Sequence, residues 1–151
     1  MPRYFLDSSA LVKRYHQESG STRIQELFDG PDNRFLISRL ALVEVHSSFA
    51  RLLREEVLTK PDLNKLVLRL KDDVASGVLT VATVNSRRLE EASSILITHG
   101  SSYSVRTLDA IHLATAQVLH GRSRIAAFVA ADKNLLIVAA AGCGFTVLDV
   151  G

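Results

Sequence analysis

The stretch "YFLDSSALVKRY" (residues 4–15) runs an apolar strand into a helix, with a single aspartate, Asp7, at the junction. Tyr4, Phe5 and Leu6 favour extended backbone, whereas Ser8 and Ser9 ahead of Ala10, Leu11 and Val12 read as a helix start. A buried strand has little reason to end on a bare carboxylate unless that carboxylate caps the helix or meets a ligand. The same strand-to-helix grammar recurs down the chain. Strands are expected at Arg3–Leu6, "RFLIS" (34–38), "VLTVATV" (78–84), "AAFVAA" (126–131) and "FTVLDV" (145–150).

Helices are expected between them. One covers Ser9–Tyr15. A second lies in "SGSTRIQELFDG", with Ile24, Leu27 and Phe28 at helical spacing. A third runs from a Ser38 cap to about Val57, with Leu42, Val45, Phe49, Leu52 and Leu53 on one face. A fourth starts at Thr59, carries the stripe Leu63, Leu66, Val67, Leu70 and Val74, and closes at Gly77. Further helices run from Asn85 or Ser86 to Gly100, from Arg106 to His120 and from Asp132 to Ala141. Most strands are continuous apolar runs rather than strict alternations, which indicates a parallel sheet covered on both faces. The expected fold class is α/β, a three-layer α/β/α arrangement around a mostly parallel central sheet. In such a sheet the binding crevice lies beyond the carboxyl ends of the strands.

The 151 residues fit one domain, 1–151, with no internal repeat, low-complexity tract or linker. An apolar content of 47% with 23% charged residues excludes a disordered chain. A net charge of +2 permits a polyanionic partner without demanding one. The single cysteine, Cys143, excludes an internal disulfide and a multi-cysteine zinc cluster, and reads as a small buried residue. No charged leader with a long apolar stretch and no membrane span is present in the sequence, so the cytoplasm is the expected compartment.

The 16 acids sort by their neighbours. The doublets Glu55–Glu56, Asp72–Asp73 and Glu90–Glu91 read as solvated helix faces, and Asp29 and Asp32 as turn residues. Asp7, Glu44, Asp109, Asp132 and Asp149 differ because apolar residues flank them. Asp7 and Asp132 fall where a strand ends and a helix begins. Glu44 lies beside the Leu42/Val45 stripe, and Asp109 is in the first turn of its helix. Asp149 sits on an edge strand and is set aside. Singly, each of the four has an ordinary role: Asp7 and Asp132 as helix caps, Glu44 paired with Arg51, Asp109 paired with Arg106. Jointly they pose an electrostatic problem, because two charges about 4 Å apart repel by roughly 4 kcal/mol at an effective dielectric of 20. A hard divalent cation with oxygen ligands, Mg²⁺ or Mn²⁺, solves it.

"FLDSSALVKRY", "LALVEVHSSFAR", "RTLDAIHLATA" and "FVAADKNLLIVAAAGCGFTVLD" resemble, in order and spacing, the four acidic motifs of the PIN-domain ribonucleases, and within them the VapC toxins of toxin–antitoxin pairs. The resemblance implies that Asp7, Glu44, Asp109 and Asp132 are the metal-binding and catalytic acids. It implies that Ser9 hydrogen-bonds within the site. It also implies a Mg²⁺- or Mn²⁺-dependent endoribonuclease acting through an activated water, an RNA substrate, a homodimer and a cognate antitoxin protein. The sequence departs from the family at Ala130, where Thr or Ser commonly precedes the fourth acid by two residues. The alternative reading is a catalytically weak PIN-like domain that binds RNA or protein.

His112, one turn after Asp109, reads as a structural histidine, with a substrate or water contact as the rival reading; His46 reads as structural. No serine-hydrolase constellation, P-loop or dinucleotide fingerprint is present. Of the basic residues, Lys13, Arg14, Arg39 and Lys133 lie nearest the expected crevice and are candidates for phosphate contact. Aromatic residues at 6% and the absence of tryptophan argue against a base-stacking platform.

Overall fold

The structure, a computed structural model, describes residues 1–151. The elements follow the expected alternation: β1 (Arg3–Leu6), α1 (Ser8–Leu11) continuing as a 3₁₀ turn over Val12–Arg14, α2 (Ser21–Asp29), β2 (Arg34–Ser38), α3 (Arg39–Arg54), α4 (Lys60–Ala75), β3 (Leu79–Ala82), α5 (Ser86–His99), α6 (Thr107–Arg122), β4 (Ala127–Ala130), α7 (Lys133–Ile137) with a π turn over Val138–Gly142, and β5 (Val147–Asp149). The five strands form one sheet in the order β3-β2-β1-β4-β5, and every pairing is parallel. β1 is therefore central, with Phe5 opposite both Leu36 and Phe128.

Alternation along each strand divides the core in two. Phe5, Leu36, Phe128 and Ala130 face one layer of helices, where they pack with Ile95, Leu113, Ala114 and Leu135. Leu6, Phe35, Ile37 and Val129 face the other, against Leu11, Val45, Phe49 and Leu70. The two cores account for the continuous apolar strands, because both faces are covered. α6 is buried from Asp109 to Ala116. Its small residues Ala110, Ala114 and Ala116 let it lie against the sheet and α5 at once, which explains why "DAIHLATA" shows no polar face.

The local signals act as expected. Ser38 accepts from the Ala41 N–H and caps α3. Thr59 and Asp62 cap α4 reciprocally, with Pro61 in the first turn. One sequence reading is overturned: Asp73 is not a solvated acid. It is buried, receives both Arg14 Nε (2.8 Å) and Nη2 (3.0 Å), and accepts the Tyr15 hydroxyl at 2.7 Å. The Arg14 guanidinium also sits 3.9 Å from the Phe28 ring centroid. This knot pins α4 to the turn after α1. It also uses up Arg14, which is therefore not a crevice residue.

Candidate active site

The sheet delivers the acids to its carboxyl edge. The Asp7 N–H continues the β1 ladder by donating to the Val129 carbonyl at 3.0 Å, so its side chain emerges at the end of the central strand. The carboxylate accepts from the Ser9 N–H (3.1 Å) and the Ser9 hydroxyl (2.6 Å). Ser9 Oγ in turn accepts from the Ala131 N–H at 3.0 Å. Ser9 therefore ties the first acid to the end of β4, next to the apolar and fully buried Ala130. Asp132 caps α7 by accepting from the Asn134 and Leu135 N–H groups at 2.9 and 3.2 Å. Both the cap and the crevice readings of Asp7 and Asp132 thus describe the same side chains.

His112 lies at the centre of this edge, wholly buried. Its Nδ1 is 2.8 Å from Ser38 Oγ, and its Nε2 bonds Glu44 Oε1 and stands 3.4 Å from Asp7 Oδ1. A carboxylate cannot donate, so Nε2 carries the proton. Burial works against the imidazolium, yet the bond to Glu44 and the charges of Asp7, Glu44 and Asp109 outweigh it and raise the His112 pKa above its ordinary value. The structural reading of His112 holds, and its partners are the acids themselves. The signal was its position one turn after Asp109.

Arg106 holds the other side. Its backbone N–H donates to Asp109 Oδ2 at 3.1 Å, its Nε lies 3.4 Å from the same oxygen, and its Nη2 donates to Asp132 Oδ2 at 3.0 Å. Burial raises the Asp109 pKa, with the charges of Asp7 and Asp132 adding to it against the lowering by Arg106. The flanking crevice, about 580 Å³, is lined by Ser8, Ser9, Glu44, Arg51, Arg106 and Leu108 among others.

Asp7, Glu44, Asp109 and Asp132 thus share one neighbourhood, linked through His112 and Arg106. No three His, Cys, Asp or Glu side chains meet in it as a ready-made metal-ligand set. The reason is visible in the bonds: Glu44 is drawn to the imidazole, while Asp109 and Asp132 are drawn to the guanidinium. The donor chemistry itself fits a hard divalent cation, with carboxylate oxygens on the crevice and no thiol beside them. Other expected residues fall elsewhere. Lys13 is buried, paired with Glu18 at 3.0 Å and bonded to the Ser19 carbonyl. Arg39 and Lys133 are exposed, and His46 is exposed and bonded to its own helix at the Leu42 carbonyl. Asp149 accepts from the Gly151 N–H at the sheet's edge. Cys143 is only half-buried, and burial raises its thiol pKa.

A parallel three-layer fold with acids gathered at the strand ends defines a class, and the sequence agrees with it: residues 4–141 match the PIN domain. The chain belongs to the PIN-domain family, on its VapC branch. It is 35% identical over 118 residues to Ribonuclease VapC45 of Mycobacterium tuberculosis (strain CDC 1551 / Oshkosh), covering 77% of this chain and 76% of that one. Ribonuclease VapC49 of the same species (strain ATCC 25618 / H37Rv) matches to the same extent. Among solved structures, VapC20 of Mycobacterium tuberculosis, described as a sarcin–ricin loop cleaving toxin, superposes with a TM-score of 0.66 at 17% identity, covering 95% of this chain and 96% of that one. The DNA-bound VapBC of Salmonella typhimurium gives 0.63 at 13% identity, with full coverage of both chains. These two likenesses carry the fold.

Proposed function

We propose that this chain is a Mg²⁺- or Mn²⁺-dependent endoribonuclease, the toxin of a toxin–antitoxin pair. The observation that carries the reading is the gathering of Asp7, Glu44, Asp109 and Asp132 from four separate elements at one sheet edge, the first two on the His112 imidazole and the last two tied by the Arg106 guanidinium. Like charges brought to one edge, with the Asp109 carboxyl and the His112 imidazole both shifted upward in pKa, are the pattern of a functional site. Asp7, Glu44, Asp109 and Asp132 are the residues that would hold the cation. When bound, a divalent cation lowers the pKa of a water and steadies charge on a phosphodiester.

The chain's own groups do the rest. Ser9 fixes the Asp7 carboxylate and the end of β4 in one hydrogen-bonded unit, so the first acid has a single orientation. His112, anchored by Ser38, aims at Glu44 and Asp7 and keeps both carboxylates at the sheet edge. The crevice beside them, about 580 Å³, has Arg51 and Arg106 as its positive charge, the kind of group that meets a phosphate backbone. The relatives named as ribonucleases, and the VapBC complexes among fold neighbours, support an RNA substrate and an antitoxin partner. We assign it a homodimeric assembly and the cytoplasm on the same resemblance; no helix is long and apolar enough to cross a membrane.

The test is cleavage of a labelled single-stranded RNA in Mg²⁺ or Mn²⁺, with EDTA as control. Cleavage is expected only with the metal, and Asp7→Asn is expected to reduce it to background while the variant melts at or above the parent's temperature. Turnover by Asp7→Asn equal to the parent's would refute the assigned roles. RNA binding without metal-dependent cleavage by the parent would establish the binding-domain reading instead.

A further inference from the structure

We propose that Arg106 is the substrate-phosphate ligand of the crevice: it bridges Asp109 and Asp132 in the metal-free chain and passes to the scissile phosphate when a divalent cation takes those carboxylates. The inference rests on the ribonuclease reading above and adds a residue to it.

The geometry separates Arg106 from an ordinary surface ion pair. A contact to Asp109 alone would be a routine i,i+3 pair on a helix. The second contact, at 3.0 Å to Asp132, crosses 26 positions of sequence and joins two of the four acids. The side chain is 75% exposed and bonds only those two carboxylates, so no packing holds it in place. Asp109 caps the first turn of α6 by accepting from the Arg106 backbone N–H, a bond that does not involve the guanidinium, so the guanidinium can leave without unfolding the helix.

The other cations singled out in the sequence are engaged elsewhere or, like the exposed Arg39 and Lys133, do not line the crevice. Lys13 is buried against Glu18, Arg14 is locked on Asp73, and Arg88 is paired with Glu91 at 2.9 Å. Arg51 lines the crevice but leans on Glu55 at 3.7 Å. Arg106 alone stands in the crevice with its charge directed at the acids. A divalent ion and a guanidinium compete for the same carboxylate oxygens. Once the acids are taken, the nearest anion available to Arg106 is the phosphodiester of a bound RNA, whose paired oxygens match the guanidinium fork.

The experiment uses the full chain and two variants, Arg106→Ala and Arg106→Lys. Mn²⁺ affinity is measured without RNA by electron paramagnetic resonance, and single-turnover cleavage of a labelled single-stranded RNA is measured at saturating Mn²⁺. Because exposed ion pairs are weak, Arg106→Ala is expected to bind Mn²⁺ only about tenfold more tightly than the parent. Its cleavage rate is expected to fall about 100-fold, the scale of losing one charge-stabilising donor. Arg106→Lys should recover part of the rate, and both variants should melt like the parent. A parent-like rate or a parent-like Mn²⁺ affinity in Arg106→Ala, with an active parent, overturns this inference and leaves the ribonuclease reading standing. A parent that neither binds Mn²⁺ nor cleaves RNA overturns the ribonuclease reading, and this inference with it.

Discussion

Asp73 and Asp109 are both buried, at 8% and 7% exposure, and both face an arginine, yet their carboxyl groups are pushed in opposite directions. Burial works against ionisation at Asp73 too, but a two-pronged Arg14 and the Tyr15 hydroxyl outweigh it and hold its pKa below the ordinary carboxylate value. At Asp109 burial prevails, because Arg106 sits at 3.4 Å and the like charges of Asp7 and Asp132 are close. The knot around Asp73 is closed and self-sufficient. The edge around Asp109 has more negative charge than its own cations settle. An acid with all its partners serves the fold, whereas one short of partners marks a place where something else is to bind.

The comparison can be broken at its stable end first. Asp73→Ala leaves Arg14 buried without its partner and is expected to cost about 3–5 kcal/mol in urea unfolding. The RNA cleavage rate per folded molecule should stay unchanged. A loss of activity without loss of stability would reverse the roles assigned to the two regions.

The pH dependence follows from the same contrast. The folded pKa of Asp73 lies below its unfolded one, so its stabilisation is complete above the unfolded value. It is lost as the pH falls through the folded value. Asp73→Asn should remove that acid-side step from a plot of unfolding free energy against pH, and a step of parental size would show that another carboxylate produces it.

Smaller effects sharpen the contrast. Tyr15→Phe deletes one of the donors on Asp73 and should cost about 1 kcal/mol, with the arginine pair left in place. Asp109→Asn, measured in EDTA, relieves repulsion while keeping an oxygen for the Arg106 N–H. It should raise stability by about 0.5–1 kcal/mol, as when a strained site is relaxed. A loss on the scale of Asp73→Ala would show that Asp109 is a structural acid after all.

Much of this was legible in the sequence, for identifiable reasons. Continuous runs such as "RFLIS" and "AAFVAA" have no polar face, so a sheet covered on both sides was the expected arrangement. The four acids stood out because apolar residues flank them and because strand ends and helix starts place them on one edge. Boundaries were less legible. The run 78–84 pairs only over Leu79–Ala82, since β3 is an edge strand with one neighbour. The first helix tightens into a 3₁₀ turn from Val12, which carries Arg14 and Tyr15 to Asp73.

Cations were the least legible part. Asp73 looked solvated because its partner Arg14 lies 59 positions away. Arg106 looked like a simple neighbour of Asp109 because its second contact, to Asp132, is also non-local, 26 positions away. Local patterns identify which groups want a partner, and only the fold says which partner they get.

The central place of β1 has a consequence for the timing of assembly. One side of the first strand made is completed only by residues 127–130, so the ladder carrying Asp7 stays half-built until almost the whole polypeptide has been synthesised. Asp132 lies just past the end of β4. A nascent or truncated chain that stops short of residue 132 therefore has its opening acid, Asp7, but not the closing one.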